Sequence, residues 1–181
     1  MERCRLVFSG SGGQGLITAA IILAEAAVLH EGLNAVQSQS YGAAARGGVT
    51  RSDVIISDSE INFPKVNQPN ILVCLTQEAY NATYHIIRPG GLLLTDPHYV
   101  DIQAKADARQ VRLALYENIM DKIGRPIVLN ICMLGALQHL TGLVGRESLL
   151  KILQTRVPSR FFDMNKTALE LGAELAAASE L

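Results

Sequence analysis

Hydrophobic residues in the first part of the chain form a short run, then a long run, then another short run. Residues 5–9 are mostly apolar and lead into glycine, whereas residues 16–29 have helical length and are rich in Ala and Leu. Residues 33–37 follow a Glu31-Gly32 turn. The pattern predicts strand, glycine-rich loop, helix and strand, which is the βαβ unit of a parallel sheet with a right-handed crossover.

The middle of the chain contains further runs of strand length. Residues 49–57 and 60–63 are separated by a short polar turn, so they predict a β-hairpin. Residues 70–75 and 91–95 are continuously apolar, which is typical of strands that are covered on both faces. Residues 77–87 lie between these two strands and predict the helix that connects them.

Residues 111–116 predict one more strand, and the remainder of the chain predicts helices. Residues 126–143 are apolar on nearly all sides, so we expect a buried helix against the sheet, followed by amphipathic helices over 146–155 and 163–178. The predicted fold class is α/β: a mostly parallel sheet with helices on both faces, a Rossmann-like βαβ start, a β-hairpin and C-terminal helices. We expect a single domain over residues 1–181.

The net charge and the longest apolar run limit the classes of molecule that the chain is expected to bind. The chain has 16 Lys and Arg against 17 Asp and Glu, so it generates no overall field that would recruit nucleic acid or an anionic membrane. The run at residues 16–29 is shorter than the ~20 residues that span a bilayer, and it follows a glycine loop rather than the basic segment of a signal peptide. We therefore expect a cytoplasmic protein whose large partners are proteins.

Cysteine and histidine spacing predicts neither a metal site nor a catalytic set. The chain has no C-x-x-C pair, and its three cysteines are far apart: Cys4, Cys74 and Cys132. The four histidines are equally scattered: His30, His85, His98 and His139. No nucleophile lies beside a base in the sequence, so we expect no metal ligands and no catalytic residues in this chain.

The first glycine-rich loop has the pattern of a phosphate-binding turn. Gly10, Gly12 and Gly15 match G-x-G-x-x-G between a predicted strand and a predicted helix, where backbone amides at the helix start bind phosphate. NAD binding would also require an acidic residue at the end of the second strand, and residues 33–40 contain none. A Walker loop is excluded because Leu16 stands where Lys would be needed.

Two interpretations of this loop remain open. In the first, the loop binds an anion, and Gln14 offers both a donor and an acceptor at its apex. In the second, the glycines only allow the strand and helix to pack closely, against each other or against another subunit. The candidate binding residues of the loop are Gly10, Ser11, Gly12, Gly13, Gln14 and Gly15.

A second small, polar and glycine-rich segment covers residues 40–48 and leaves the end of the second predicted strand. Open α/β sheets bind ligands at that edge, so we expect this loop to lie beside the first one. Arg46 could pair with phosphate or carboxylate, and Tyr41 offers a ring and a hydroxyl. The candidate residues of this loop are Ser40, Tyr41, Gly42, Arg46, Gly47 and Gly48.

The sequence TDPHY follows the strand predicted at residues 91–95. Asp96 and His98 could contact a ligand at the same edge of the sheet. Because Pro97 follows an Asp, ordinary turn chemistry is the interpretation that we prefer.

Four segments together resemble the gamma subunit of 2-oxoacid:ferredoxin oxidoreductases. They are GSGGQG at 10–15, SQSYGAAARGG at 38–48, IISDSEINFP at 55–64 and NICMLGALQHLTGL at 130–143. The resemblance covers nearly the whole chain, and the order and spacing of the two glycine loops are its most specific part. The third segment is most similar to the 2-oxoglutarate branch. One departure is the Ala run at 43–45, where relatives often carry Pro and an acidic residue.

The resemblance implies a complex that converts a 2-oxoacid and coenzyme A to acyl-CoA, CO2 and reduced ferredoxin. Thiamine diphosphate, Mg and iron–sulfur clusters would be held by partner subunits, namely alpha and beta and also a delta subunit where one is present. This chain would contact coenzyme A through its phosphate-seeking loop and would be inactive alone.

Other functions are compatible with the same residues. The chain could be an assembly module whose glycine loops contact only another subunit. Within the resembling family, pyruvate, a branched-chain 2-oxoacid or indolepyruvate could replace 2-oxoglutarate. A free-standing nucleotide or flavin protein is a further alternative.

Overall fold

The computed structural model describes residues 3–41, 49–102 and 107–179, with the side chain of Tyr41 left out. Six strands form one sheet: β1 (Cys4–Ser11), β2 (Asn34–Tyr41), β3 (Val49–Ser57), β4 (Ile71–Cys74), β5 (Gly91–Thr95) and β6 (Ala108–Arg112). The helices are α1 (Leu16–His30), α2 (Gln77–Thr83), α3 (Leu115–Lys122), α4 (Leu129–Thr141), α5 (Arg146–Arg156) and α6 (Ser159–Ala178). Short 3-10 helices follow α2 at Tyr84–Ile86 and precede α4 at Pro126–Val128.

The strand order is β2-β3-β1-β4-β5-β6. β1, β4, β5 and β6 are parallel, while β3 is antiparallel to both of its neighbours, β1 and β2. β2 therefore runs in the same direction as β1 although β3 lies between them. The predicted α/β fold with a mostly parallel sheet and a βαβ start is confirmed, and the carboxyl ends of the five codirectional strands meet at one edge, the carboxyl edge.

The hairpin predicted between residues 49–57 and 60–63 was wrong in its second strand. Residues 60–63 form no strand, and the antiparallel partner of β3 is β2, with Val36 opposite Ile55. β1 and β2 occupy both hydrogen-bonding edges of β3, so no edge remains for residues 60–63. The alternating pattern of residues 60–63 does not show that both edges of β3 are already hydrogen-bonded to other strands.

Helices cover both faces of the sheet, as predicted. Phe8 of β1 packs in the larger core with α1, α3, α4, α5 and α6, whereas its neighbour Val7 faces the smaller core, which contains Tyr80 of α2. This alternation follows from the two-residue period of a strand. Within the described residues, no helix has both the length and the apolar character of a membrane span.

The sequence prediction was least accurate between β5 and α4. β6 occupies residues 108–112 rather than 111–116, and residues 115–122 form α3, which was not predicted. The helix expected over residues 77–87 is split into α2 and a 3-10 helix. The predicted helices at the C-terminus are all present.

α4 and α6 approach each other closely enough for their backbones to touch. A Cβ on Gly135 of α4 would overlap the carbonyl of Leu169, and a Cβ on Gly172 of α6 would overlap the carbonyl of Cys132. Two glycines on facing helices thus set the separation between the helices. α4 in turn contacts α1, so this crossing determines where α4 meets the rest of the fold.

We expect Gly135→Ala to lower the free energy of unfolding by about 3 kcal/mol, because a backbone carbonyl cannot move out of the way as a side-chain end can. Alanine's higher helix propensity offsets only about 1 kcal/mol of that loss. For a chain of this size the melting temperature should fall by about 6–12 °C. Gly12→Ala, where the nearest atom to the new Cβ is Thr50 Oγ1 at 3.9 Å, is the control and should change it little.

Candidate functional site

The first glycine loop connects the end of β1 to the start of α1 at the carboxyl edge. Gly13 and Gly15 have φ values of 91° and 72°, a backbone conformation that side chains with a Cβ disfavour. Gly12 and Gly13 are exposed. The loop therefore requires glycine at two positions for its shape and presents its backbone to solvent.

The Gln14 side chain links the glycine loop to the chain just beyond β4 by hydrogen bonds. Its Oε1 accepts a hydrogen bond of 2.9 Å from Ser11 N, and its Nε2 donates one of 2.8 Å to the carbonyl oxygen of Leu75, just beyond β4. The Gln14 side chain also fills the space where a Cβ on Gly10 would lie. The donor and acceptor that made Gln14 a candidate ligand-binding residue are thus used to fix the loop against the neighbouring strand.

The N-terminus of α1 is open to an anion. Gly15 is its N-cap, no described side chain caps it, and the first turn contains no acidic residue. Backbone amides at such a position carry a partial positive charge. A cavity of about 270 Å³ lies against this turn, and it is lined by Ser11, Gly12, Gly13, Gly15, Leu16, Ile17, Thr18 and Thr50. The amides, together with two threonine hydroxyls, suit a phosphate or carboxylate group.

Asn130 of α4 fixes the other side of the loop. Its Nδ2 donates a 3.1 Å hydrogen bond to the carbonyl oxygen of Gly15, and it would lie only 2.6 Å from a Cβ on that glycine. Asn130 Oδ1 is buried and has no hydrogen-bond partner among the described residues. Asn130 was not predicted as a site residue, although an Asn in the apolar first half of a helix is a signal that could have identified it.

A second cavity, of about 440 Å³, lies on the α4 and α6 side of the loop. Gly13, Gly15 and Thr18 line it together with the starts of α4 and α6, and so do two arginines, Arg125 and Arg156. Arg156 is already paired with Glu25, with Nε 2.7 Å from Oε2. Most of the remaining lining is apolar: Ile22, Ile127, Val128, Ile131, Val157, Pro158, Phe161 and Met164. Thr18 lines both cavities and was not predicted as a site residue.

The second predicted loop lies largely outside the described residues, since Gly42, Arg46, Gly47 and Gly48 fall in the gap at 42–48. The strands that flank it reach the carboxyl edge: Thr50 of β3 is opposite both Tyr41 of β2 and Gly10 of β1. One strand thus separates the end of β2 from the glycine loop. Ser40 lines a different cavity, of about 390 Å³, with Ser38, Gln39, Arg51, Asp53, Lys65, Val66, Asn67 and Ile86.

Asp96 stabilises a turn, as predicted from the Asp-Pro sequence. Its Oδ1 accepts from His98 N at 2.9 Å and its Oδ2 accepts from Tyr116 N at 2.7 Å, so it holds both its own turn and the first turn of α3. Burial raises the pKa of Asp96, and these two backbone hydrogen bonds oppose that rise. The His98 ring stacks on Tyr116 with 3.9 Å between ring centroids.

The cysteines behave as structural thiols. Burial raises the pKa of Cys74 and of Cys132 to about 12, so neither is a nucleophile near neutral pH. Within the described parts of the chain, no three side chains of His, Cys, Asp or Glu come together as metal ligands.

Comparison with known proteins identifies the relatives of this fold and loop. The family model "Pyruvate ferredoxin/flavodoxin oxidoreductase" matches residues 5–175. The chain is 43% identical over 176 residues to the 2-oxoglutarate synthase subunit KorC of Methanocaldococcus jannaschii, covering 96% of this chain and 94% of that one. These matches confirm the resemblance seen in the sequence.

Several solved structures share the fold. The gamma subunit of a keto/oxoacid ferredoxin oxidoreductase from Geobacter sulfurreducens superposes with a TM-score of 0.90 at 40% identity, over 99% of both chains. A 2-oxoglutarate:ferredoxin oxidoreductase from Magnetococcus marinus, solved with 2-oxoglutarate, coenzyme A and succinyl-CoA bound, gives 0.87 at 20% identity. That likeness concerns the fold alone, and it covers 98% of this chain but 32% of the longer one.

We expect Gly15→Ala to destabilise the protein more than Gly13→Ala does. Alanine in a left-handed conformation costs about 1–2 kcal/mol at either position. At Gly15 the Cβ would also press against Asn130, whereas nothing lies within 4 Å at Gly13. Chemical denaturation should show Gly15→Ala to be lower in unfolding free energy by about 2 kcal/mol.

The combination of Gly15→Ala with Asn130→Ala identifies the contact responsible. Asn130→Ala removes the two atoms nearest to the new Cβ, Nδ2 at 2.6 Å and Cγ at 2.9 Å, so the double variant should lose less stability than the sum of the two single variants. Strict additivity would contradict the proposed contact between the loop and α4.

Proposed function

Because the chain belongs to the pyruvate ferredoxin/flavodoxin oxidoreductase family, we propose that it is the gamma subunit of a 2-oxoglutarate:ferredoxin oxidoreductase. Family membership makes it a subunit of an oxidoreductase complex, which has other subunits as partners. The choice of 2-oxoglutarate is supported by a relative at 43% identity that is named a 2-oxoglutarate synthase subunit. The complex would convert 2-oxoglutarate and coenzyme A to succinyl-CoA and CO2 and pass the electrons to ferredoxin.

The observation that supports a direct role in this reaction is the uncapped start of α1 beside the glycine loop. A phosphate of coenzyme A would be bound by the loop and by the first amides of α1, with Thr18 and Thr50 beside it. Gly12 and Gly13 would allow the ligand to approach the backbone closely. Coenzyme A supplies the thiol that accepts the acyl group, and this chain's contribution is to hold and orient it.

The second loop completes this proposal. Ser40, Tyr41, Gly42, Arg46, Gly47 and Gly48 would form its wall at the end of β2. Arg46 would supply the permanent positive charge that the first loop lacks, either to a phosphate or at a subunit boundary. The position of Thr50 between the ends of β1 and β2 supports a shared binding edge.

Thiamine diphosphate, Mg and the iron–sulfur clusters are proposed to belong to the partner subunits. The cysteines of this chain support that assignment. They lie apart from one another, and burial raises the pKa of their thiols, so they are poor ligands for an iron–sulfur cluster. The alpha, beta and delta identities of the partners, ferredoxin as the acceptor and a cytoplasmic location are parts of the same proposal.

One observation favours a second candidate, an assembly module without a small ligand. Ile127 and Phe161 line the cavity of about 440 Å³ and are 76% and 37% exposed. Large apolar side chains at that exposure suit contact with another subunit. The two candidates differ in whether the glycine loop contacts a small ligand, and the experiments below separate them.

The substrate is tested on the complex purified through a tag on this chain under anaerobic conditions. We expect thiamine- and cluster-binding proteins to co-purify and the preparation to reduce a viologen dye only with both 2-oxoglutarate and coenzyme A. Dependence on pyruvate or on a branched-chain 2-oxoacid instead would reassign the substrate. A chain that purifies without other proteins and without the colour of iron–sulfur clusters would overturn the subunit role.

Thr18→Asp tests the contact with coenzyme A. An acidic residue in the first turn of α1 stabilises the helix by about 0.3–1 kcal/mol, so the fold should not suffer. The same carboxylate would repel a bound phosphate, and we expect the apparent KM for coenzyme A to rise at least about tenfold. Thr18→Asn is the matched neutral control and should change KM much less.

Gel filtration of both variants distinguishes the two candidate functions. Intact assembly with a raised KM only in Thr18→Asp supports the phosphate role. An unchanged KM in an intact complex would exclude that role for this turn. Loss of assembly in both variants would support the assembly module instead.

A further inference from the structure

A groove of about 830 Å³ lies at the other end of the sheet, the amino edge. Arg5 stands near the start of β1, Asn70 immediately precedes β4, and Pro89 lies just before β5. The lining residues are Arg5, Phe63, Lys65, Asn67, Gln68, Arg88 and Pro89. None of them belongs to the glycine loop, and two of them, Lys65 and Asn67, also line the cavity of about 390 Å³ that Ser40 lines.

The loop that forms one wall of this groove is held in place at several points. Val66, which is 1% exposed, accepts a 2.6 Å hydrogen bond on its carbonyl from Arg51 and donates one of 3.3 Å to Asp53. Arg3 donates to the carbonyl of Glu60 at 2.8 Å. Residues 60–68 thus form an irregular segment with a fixed path, and segments of this kind in compact domains commonly serve binding.

The opposite wall is joined to the sheet by hydrogen bonds of backbone amides. Arg5 N donates to Asn70 Oδ1 at 3.0 Å, Asn70 N donates to the carbonyl of Arg5 at 2.8 Å, and Arg88 N donates to the carbonyl of Pro69 at 3.1 Å. These bonds bring the stretches that carry Arg5 and Arg88 to the same edge. Both guanidinium groups act on Cys4, where they oppose the burial that raises the pKa of its thiol to about 11.

The groove holds three cations and no anion among its lining residues. Within the described parts of the chain, no carboxylate lies within ion-pair distance of Arg5, Lys65 or Arg88. Three surface cations elsewhere are paired: Lys122 with Glu174, Arg146 with Glu170, and Arg156 with Glu25. Since the whole chain has a net charge of −1, the positive charge of the groove is a local feature.

An aromatic ring lies within this positive surface. Phe63 is 61% exposed and lines the groove together with the three cations. Aromatic and arginine side chains are enriched at protein interfaces and among the residues that contribute most to binding. An exposed ring beside three cations offers a partner both an apolar contact and positive charge.

We infer that this groove docks an acidic segment of another subunit of the complex. Carboxylates of that segment would pair with Arg5, Lys65 and Arg88, and an apolar side chain would pack on Phe63. Lys65 and Arg88 are exposed and extend on long stems, and no described helix begins in the groove, so the surface fits a broad protein partner better than one phosphate. The inference rests on the chain being a subunit, and it is independent of the phosphate contact at the glycine loop.

The test is the salt stability of the assembled complex carrying Lys65→Glu together with Arg88→Glu. The two new glutamates would face the partner's carboxylates and repel them. We therefore expect this chain to dissociate from the complex at markedly lower NaCl concentration, with an apparent Kd at least about tenfold weaker. Lys151→Glu with Lys166→Glu is the matched control, because it makes the same change in net charge on the exposed surfaces of α5 and α6. Gel filtration at increasing salt measures both.

Phe63→Ala is the second arm of the test, and it leaves the net charge of the chain unchanged. Because the Phe63 side chain is exposed in the subunit, its loss should leave the melting temperature of the isolated full chain nearly unchanged while weakening assembly. Assembly equal to that of the control in both arms would overturn the inference. A raised melting temperature of the isolated chain with inorganic pyrophosphate, abolished by Lys65→Glu with Arg88→Glu, would also overturn it, in favour of a small-anion site. The KM for coenzyme A in the assembled fraction should stay at the wild-type value, which separates this result from the role of the glycine loop.

Discussion

The close contact between α4 and the start of α1 is the constraint on which the candidate site depends. Gly15 adopts a left-handed conformation and has no room for a side chain, because Asn130 occupies the space beside it and donates to its carbonyl. The position of Asn130 is set by α4, and α4 is set against α6 by backbone contact at Gly135 and Gly172. A packing requirement in the C-terminal helices thereby determines the shape of a loop more than one hundred residues earlier.

β1 connects the two surfaces to which binding is ascribed. At its carboxyl end it leads into the glycine loop, and at its amino end Arg5 lines the cationic groove. β1 is central, with β3 and β4 on its sides, and its residues Leu6, Val7 and Phe8 are fully buried. A rigid central strand holds the two surfaces at a fixed separation, so a partner at the groove and a ligand at the loop would meet the same protein framework.

Local patterns predicted most of the secondary structure but not the pairing of the strands. The runs that became β1, α1, β4 and β5 carry their signal in their own residues. Insertion of β3 between β1 and β2 depends on which strand edges are free, and that is a property of the assembled sheet. α3 does carry a local signal, since Leu115 and Ile119 are four residues apart and both are buried, but the strand predicted over residues 111–116 overlapped its start. The carboxylate that fixes its first turn belongs to Asp96, 20 residues away from Tyr116 in sequence.

The candidate site shows the same division between local and distant information. Glycine spacing identified the loop, whereas the structure reassigns Gln14 to an internal role and adds Thr18, Thr50 and Asn130 around it. Because Gln14 and Asn130 fix the loop before any ligand arrives, an anion would lose little free energy to ordering the protein. Such a preformed turn contributes general affinity for a phosphate and no preference for one nucleotide. Selection of a particular ligand must therefore come from outside this turn, from the loop after β2 or from the neighbouring subunits.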